Sequence, residues 1–361
     1  MKILDRYMLQ ELGGPFVFGL AAFTLLFVAG NLLNIARLVS EEHASAFVAA
    51  KYFVYTLPST LVLTFPMSML LAVLLAMSRL SGESELTAIR AGGVSLYRIA
   101  APFIAVGLLA SFIGFLFQEY VVPYASAKAT DILHKEIQSG GSGALANQTV
   151  STVLGNGDQQ VTFAQGFDPA SNQLQDTTVE VFRAGYPISL LFAPRATYSG
   201  DRWEFENAVL FGLAPPCCKV SNYPVLDIDI GADPSQIVEQ TKSPEDMSRS
   251  EIAQLLRTGV KNTDKSRYAL LQVTFDSKLA RPFAALVFTM LAMPLGIRPQ
   301  RSSSGAGFGI SIVIVFAFYI VSTVCLAFGR SDPSVSLIMA WLPNVLFCGA
   351  AIWLLREAAK V

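Results

Sequence analysis

Six long apolar runs without a single charged residue come in two groups of three, and a polar stretch over residues 122–265 separates the groups. Gly13 to Ala36, Tyr52 to Phe65 continuing past Pro66 to Ser78, and Ile99 to Gln118 form the first group. Pro282 to Ile297, Ser302 to Gly329 and Val335 to Leu355 form the second. About 20 apolar residues at 1.5 Å rise cross a hydrocarbon core of about 30 Å, so each run is a candidate membrane span. A bilayer offers the backbone no water, so these runs must be helical. The expected fold is an α-helical membrane protein with three plus three spans and a folded insert outside the lipid.

Composition agrees: 53% of residues are hydrophobic and only 15% charged, far from a soluble profile. The net charge of −1 leaves no electrostatic footprint for nucleic acid. The first run is longer than a secretory signal core and no small-residue cleavage site follows it, so it is expected to remain as a span. With the N-terminus inside, the short loops on that side hold Lys2, Arg6, Arg79, Arg90, Arg98, Arg298, Arg301, Arg356 and Lys360. The opposite short loops hold only Arg37, Lys51 and Arg330. Positive charge favours the cytoplasmic side, which puts both termini there and the insert outside.

The insert reads as β. Gln160 to Ala164, Thr178 to Phe182, Ile188 to Phe192, Arg202 to Leu213 and Val225 to Ile230 are short runs rich in β-branched and aromatic residues. Leu226, Ile228 and Ile230 alternate with Asp227 and Asp229, the period-2 pattern of a strand with one buried face. Trp203 and Phe205 alternate in the same way with Arg202, Glu204 and Glu206, and are expected to point inward. Gly155-Asn156-Gly157-Asp158 and Tyr198-Ser199-Gly200-Asp201 are turn signals. Strands at this spacing suggest a sandwich or a jelly roll. Ser248 followed by Glu251 is a capping box, opening a short helix with Ile252, Leu255 and Leu256 on one face.

Pro58, Pro66, Pro294 and Pro343 are expected to kink their helices. Gly305 and Gly309 have the spacing that lets membrane helices approach closely, and the Gly305 to Gly309 run lacks the strand and the Lys-Ser/Thr of a phosphate loop. Cys325 and Cys348 lie within spans, and adjacent Cys217 and Cys218 are read as unpaired thiols. His43 and His134 are the two histidines, and neither has a metal-ligand spacing. No catalytic motif is visible, so neither a catalytic site, a metal nor a cofactor is expected in this chain. None of the six runs carries an ionisable residue near its centre, which disfavours an ion-coupled carrier. Uphill transport would then need a separate ATPase and a cytoplasmic element for it to grip.

The loop from Ser78 to Ser95 offers such an element at about residues 81–93. Ser84 or Ser81 can cap a short helix, Glu85, Leu86, Ile89 and Arg90 lie along it, and Gly92 and Gly93 can end it in the left-handed conformation.

Three stretches carry a resemblance. They are Leu4-Asp5-Arg6-Tyr7, Ser84-Glu85-Leu86 through Ala91-Gly92-Gly93, and Lys278-Leu279-Ala280-Arg281-Pro282-Phe283 through Pro294-Leu295-Gly296-Ile297-Arg298. In these stretches, and in its layout over essentially the whole chain, the sequence resembles the LptF/LptG (YjgP/YjgQ) permeases of the lipopolysaccharide export ABC transporter. Leu4 to Tyr7 leans towards LptG. The resemblance implies a periplasmic β-jellyroll insert, a heterodimer with a second LptF/LptG-type permease, a cytoplasmic ABC ATPase dimer docked on the loop helix, and an inner-membrane location. It also implies extraction of lipopolysaccharide onto a periplasmic bridge protein of β-jellyroll type, with hydrolysis left to the partner ATPase. A homodimer of a single permease type is the other arrangement.

Under that resemblance the expected division is residues 1–121 for spans one to three, 122–265 for the insert and 266–361 for spans four to six. A phosphorylated, multiply acylated lipid needs an apolar cavity rimmed by cations at headgroup level. Arg37 and Lys51 flank the first outer loop, Lys128 and Lys135 follow span three, and Lys278 and Arg281 precede span four. Each could instead be an anchor that snorkels to the interface. Arg37 stands first, since a family member carries a basic residue at the matching place late in span one. Asn31 occupies a place where a second basic residue can occur. The sequence also fits two other classes, a periplasmic β-scaffold anchored by six spans and an ABC exporter subunit for another lipid.

Overall fold

A computed structural model describes residues 3–40, 45–133, 145–154, 157–168, 171–200, 202–213, 219–230, 234, 243–257, 265–297 and 305–360. His43, His134, Lys135, Cys217, Cys218, Arg298 and Arg301 lie outside the described residues, as do the side chains of Arg37 and of residues 145–149.

Helices α1 (Ile3–Ser40), α2 (Ala46–Gly82), α3 (Glu85–Ala91), α4 (Leu96–Leu116) and α5 (Val122–Ile132) precede the strands. A π-helical turn, Phe117–Val121, joins α4 to α5 without a break. After the strands come α6 (Arg249–Arg257), α7 (Lys265–Gly296), α8 (Gly305–Ser331) and α9 (Ser336–Lys360). Among the described residues, six helical stretches are long and apolar enough to cross a membrane: Ile3–Leu33, Ala46–Gly82, Leu96–Ile132, Ser266–Gly296, Gly309–Ser331 and Pro333–Lys360. Several outrun the apolar stretches that announce them. The 32 residues of α7 span about 48 Å at 1.5 Å per residue, well over the roughly 30 Å of a hydrocarbon core. The part of it before Pro282 therefore carries charges the hydropathy pattern excluded from span four, among them Asp276, Lys278 and Arg281.

Helices α2 and α7 form the centre, packing against each other while α1, α4, α8 and α9 surround them. Met67 through Leu74 on α2 are all buried, and on α7 the Phe288 ring meets Phe318 of α8 edge-on at 4.8 Å. Phe318 in turn meets Phe347 of α9 at 5.2 Å, so one aromatic cluster ties three helices together. By contrast α1 and α8 expose Val17, Leu25, Val313, Phe316 and Ile320, as suits helices whose outer faces meet lipid or another chain.

The helices run through Pro58, Pro66, Pro294 and Pro343 as continuous elements. Close approach occurs at two glycines that the spacing did not single out. A Cβ on Gly107 of α4 would lie 2.7 Å from Thr289 Oγ1 of α7, and one on Gly296 would lie 2.5 Å from Met77 Cβ of α2. Nothing stands within 4 Å of the corresponding point on Gly309. Spacing alone marks a permissive face, and the fold decides which permissive face meets a neighbour.

The insert contains one six-stranded antiparallel sheet whose strands follow in chain order: β1 (Leu145–Val153), β2 (Gln159–Asp168), β3 (Gln173–Arg183), β4 (Tyr186–Ser199), β5 (Arg202–Gly212) and β6 (Lys219–Ile228). β1 is the strand that pattern reading missed: Leu145-Ala146-Asn147-Gln148-Thr149 is largely polar, and its pairing with β2 holds it in place. Gly200 (φ +71°) sits in the two-residue turn between Ser199 and Arg202, where a side chain would be strained. Asp158 is buried and receives both Arg183 Nε (3.0 Å) and Nη2 (2.7 Å), which pins the turn before β2 to the end of β3. That pairing raises the Arg183 guanidinium above its ordinary range.

Candidate functional site

A cavity of about 420 Å³ opens among α2, α7, α8 and α9. Val62, Leu63, Ala284 and Phe318 give it apolar walls, and Arg281, Arg330, Glu245 and Asp246 stand around one end. From Phe318 to Arg330 the wall follows α8 for about 18 Å at 1.5 Å per residue, more than half a hydrocarbon core. Asn344 Nδ2 donates to the Ala280 carbonyl at 2.7 Å, holding α9 against α7 at the cavity wall.

The charged end is built by the segment that returns from the sheet to the bundle. Lys278 is 1% exposed, and its ammonium donates to the Glu245 carbonyl at 2.7 Å. Arg281, one turn on, reaches the Glu245 carboxylate through Nη2 (3.1 Å) and Nη1 (3.4 Å). Burial pushes the Glu245 carboxyl up, but Arg281, Lys278 and Arg330 outweigh it and hold it below the usual carboxylate range. Burial raises the Asp246 carboxyl, with Lys278 opposing and Glu245 adding to the rise. The Asp246 carbonyl accepts from Ser126 Oγ at 3.3 Å.

Beside it, the π-helical turn re-aims two neighbours. Gln118 is buried and lines the cavity, while Glu119 accepts from the Arg249 amide (2.9 Å) and the Ser250 amide (3.3 Å) at the start of α6. The capping box forms as read: Glu251 N–H donates to Ser248 Oγ (3.1 Å) and Ser248 N–H to Glu251 Oε2 (2.6 Å).

The other sequence-derived cations are dispersed. Lys51 is half-buried near the start of α2, Lys128 is exposed on α5, and Arg37 falls near the end of α1. Of that set, the cavity brings in Arg281, together with Arg330, a residue noted only for orientation. Trp203 and Phe205 are 1% and 0% exposed, inside the sheet's own core. The Trp203 ring lies 5.2 Å from Tyr198 and 6.3 Å from Phe167.

At the opposite end of the bundle, α3 forms where the loop pattern puts a helix. Ser84 precedes it with φ 59° and no side-chain cap, and Ser81 Oγ donates instead to the Ile297 carbonyl at 2.9 Å, so neither serine caps it as expected. Gly92 ends it and Gly93 takes φ +83°. Leu86 is buried in the bundle core and Ile89 packs against it, leaving Ser84, Thr87, Ala88 and Ala91 outward. Arg90 is half-buried. Glu85 accepts a hydrogen bond from Tyr7 of α1 at 2.6 Å. Arg79 pairs with Glu11 and with Glu83 (3.2 Å), and Arg98 pairs with Asp5 (2.7 Å), so α1, α2, α3 and α4 are laced together here. Apart from Arg79 and Glu83, four residues apart, no sequence signal reports these pairings, whose partners lie up to 78 residues apart.

Comparison with known proteins gives two findings. Residues 6–357 match the family described as lipopolysaccharide export system permease LptF/LptG. The chain is also similar to the lipopolysaccharide export system permease protein LptG of Haemophilus influenzae, with 23% identity over 365 aligned positions that cover 99% of each chain.

Proposed function

The chain belongs to the LptF/LptG family of lipopolysaccharide export permeases, and on that premise we propose that it is the membrane subunit of an ABC transporter that extracts lipopolysaccharide from the inner membrane. The observation that carries this reading is the cavity, apolar along its walls and rimmed by Arg281 and Arg330 at the end where the chain returns from the sheet. An acylated, phosphorylated lipid needs that combination. A volume of about 420 Å³ lies in the range of small-molecule sites, too small for several acyl chains, so a second LptF/LptG-type permease supplies the remaining wall.

In this reading residues 1–121 and 266–361 supply three plus three spans with both termini in the cytoplasm. Residues 122–265 form the periplasmic domain, of β-jellyroll type. The sheet edges at β1 and β6 are where a strand of a periplasmic bridge protein of β-jellyroll type adds. Trp203 and Phe205 are closed inside the sheet's core in this structure, and acyl chains pass along their face once that core opens. Arg281 attends the headgroup at the cavity, where Lys278 holds the segment beside it, and Arg37, Lys51 and Lys128 attend it along its path. A separate cytoplasmic ATPase dimer grips the helix that runs from Ser84 and Glu85 through Leu86, Ile89 and Arg90 to Gly92 and Gly93. Its outward residues make the contact, and Leu86 and Ile89 carry the stroke into the bundle.

Purification from native membranes with mass spectrometry of bound lipid tests the reading. Lipopolysaccharide together with a co-purifying ATPase supports it. Phospholipid alone would favour an exporter of another lipid, and an ATPase-free, lipid-free chain would favour a scaffold.

A further inference from the structure

We propose that Glu245 is a displaceable counter-ion of the cavity, occupying the Arg281 guanidinium until the phosphate of an entering lipid takes its place. This deepens the reading of the cavity as a lipid site and rests on it. The Glu245 carboxylate meets two nitrogens of Arg281 with two oxygens, at 3.1 and 3.4 Å, the same fork that a phosphate presents to a guanidinium. Its two halves are held very differently. The backbone is fixed, because the buried Lys278 ammonium donates to the Glu245 carbonyl at 2.7 Å. The side chain is 53% exposed and belongs to no helix or strand, so it can swing into solvent while the backbone stays anchored.

With Glu245 half-exposed and Arg281 29% exposed, the pair is only partly sheltered from solvent and is open to exchange. A phosphate monoester carries up to twice the charge of a carboxylate and three acceptor oxygens, so it displaces Glu245, whereas an uncharged headgroup cannot. Asp246 and Arg330 face the same space, Asp246 beside Glu245 and Arg330 on α8. Once freed, Glu245 leaves Arg281 and Arg330 as a two-cation rim for the phosphate. The residue thus acts as a filter, loading the cavity with phosphorylated lipids and keeping its cations quenched when it is empty.

The test uses the full chain assembled with its partners in nanodiscs, with phosphorylated lipopolysaccharide and the same lipid after phosphatase treatment as probes. Glu245→Gln keeps the size and the carbonyl that Lys278 holds. It is expected to raise affinity for the phosphorylated lipid by about two- to five-fold, the scale of one exposed ion pair, and to leave the treated lipid unchanged. Arg281→Gln should lower affinity for the phosphorylated lipid and abolish the gain in the double variant. Equal or weaker binding by Glu245→Gln, or an equal gain for both lipids, overturns the proposal. A gain seen only with inorganic phosphate overturns the assignment to a lipid headgroup. A wild-type assembly that binds neither lipid removes the underlying reading of the cavity instead.

Discussion

The Tyr7 hydroxyl donates to Glu85 Oε2 at 2.6 Å, joining the first turns of α1 to the seven-residue helix α3. Glu85 is therefore engaged inside the chain before any partner arrives, and two contacts have to be separated to learn what it does. Glu85→Ala and Glu85→Lys remove both the Tyr7 bond and any charge offered to an ATPase. Tyr7→Phe removes only the first. A charge-assisted bond in a partly buried interface is worth roughly 1.5–3 kcal/mol, so the Glu85 variants are expected to weaken ATPase association by about 10- to 100-fold. Tyr7→Phe should leave association near wild type. Co-purification of the ATPase with each variant measures this, and an equal loss in all three would mean that Glu85 acts only through the bundle.

The glycines give a test of helix packing. Gly107 has no room for a Cβ beside Thr289, so Gly107→Val is expected to cost about 1–3 kcal/mol through overpacking. Gly309 has open space around it, and Gly309→Val should stay within about 0.5 kcal/mol. Unfolding in detergent compares the two, and a matching drop would contradict the packing described.

On β5, two faces of one strand can be set against each other. Trp203→Ala removes a fully buried ring and is expected to destabilise the insert by about 3–5 kcal/mol. Glu204→Ala on the opposite face should change it by under about 0.5 kcal/mol. A photo-crosslinking residue at 203 or 205 should capture lipid during ATP turnover, and equal labelling at 204 and 206 would leave Trp203 and Phe205 with a purely structural role.

Arg37 ends the uncharged run of α1 and is read as a headgroup contact. A guanidinium holds a phosphate through two bonds, which an ammonium cannot, so the expected order of bound lipid is wild type, then Arg37→Lys, Arg37→Ala and Arg37→Glu. Each lost charge-assisted bond costs roughly 1.5–3 kcal/mol. Lipopolysaccharide recovered per transporter measures the series. A flat result at normal expression would make Arg37 a snorkelling anchor.

Much of this architecture was legible from local pattern, because each signal is local in origin. Uncharged runs of 20 or so residues have one outcome in a bilayer, helix, and the six spans followed from that rule. Alternation at Trp203 and Phe205 gave their inward face, and Ser248 with Glu251 gave a helix start, since strand faces and capping boxes are completed within a few residues. What tertiary structure alone decided was every relationship between distant groups. The charges at Lys278 and Arg281 looked like the edge of span four, yet α7 continues through them, and Glu245, over 30 residues away, receives both. Gly107 rather than Gly309 became the point of close approach, and Glu85 found Tyr7, because those choices depend on which helix lies alongside. Periodicity reports which face of an element is apolar or permissive, whereas the partner of that face is set by packing, where burial and geometric fit are settled across the whole bundle.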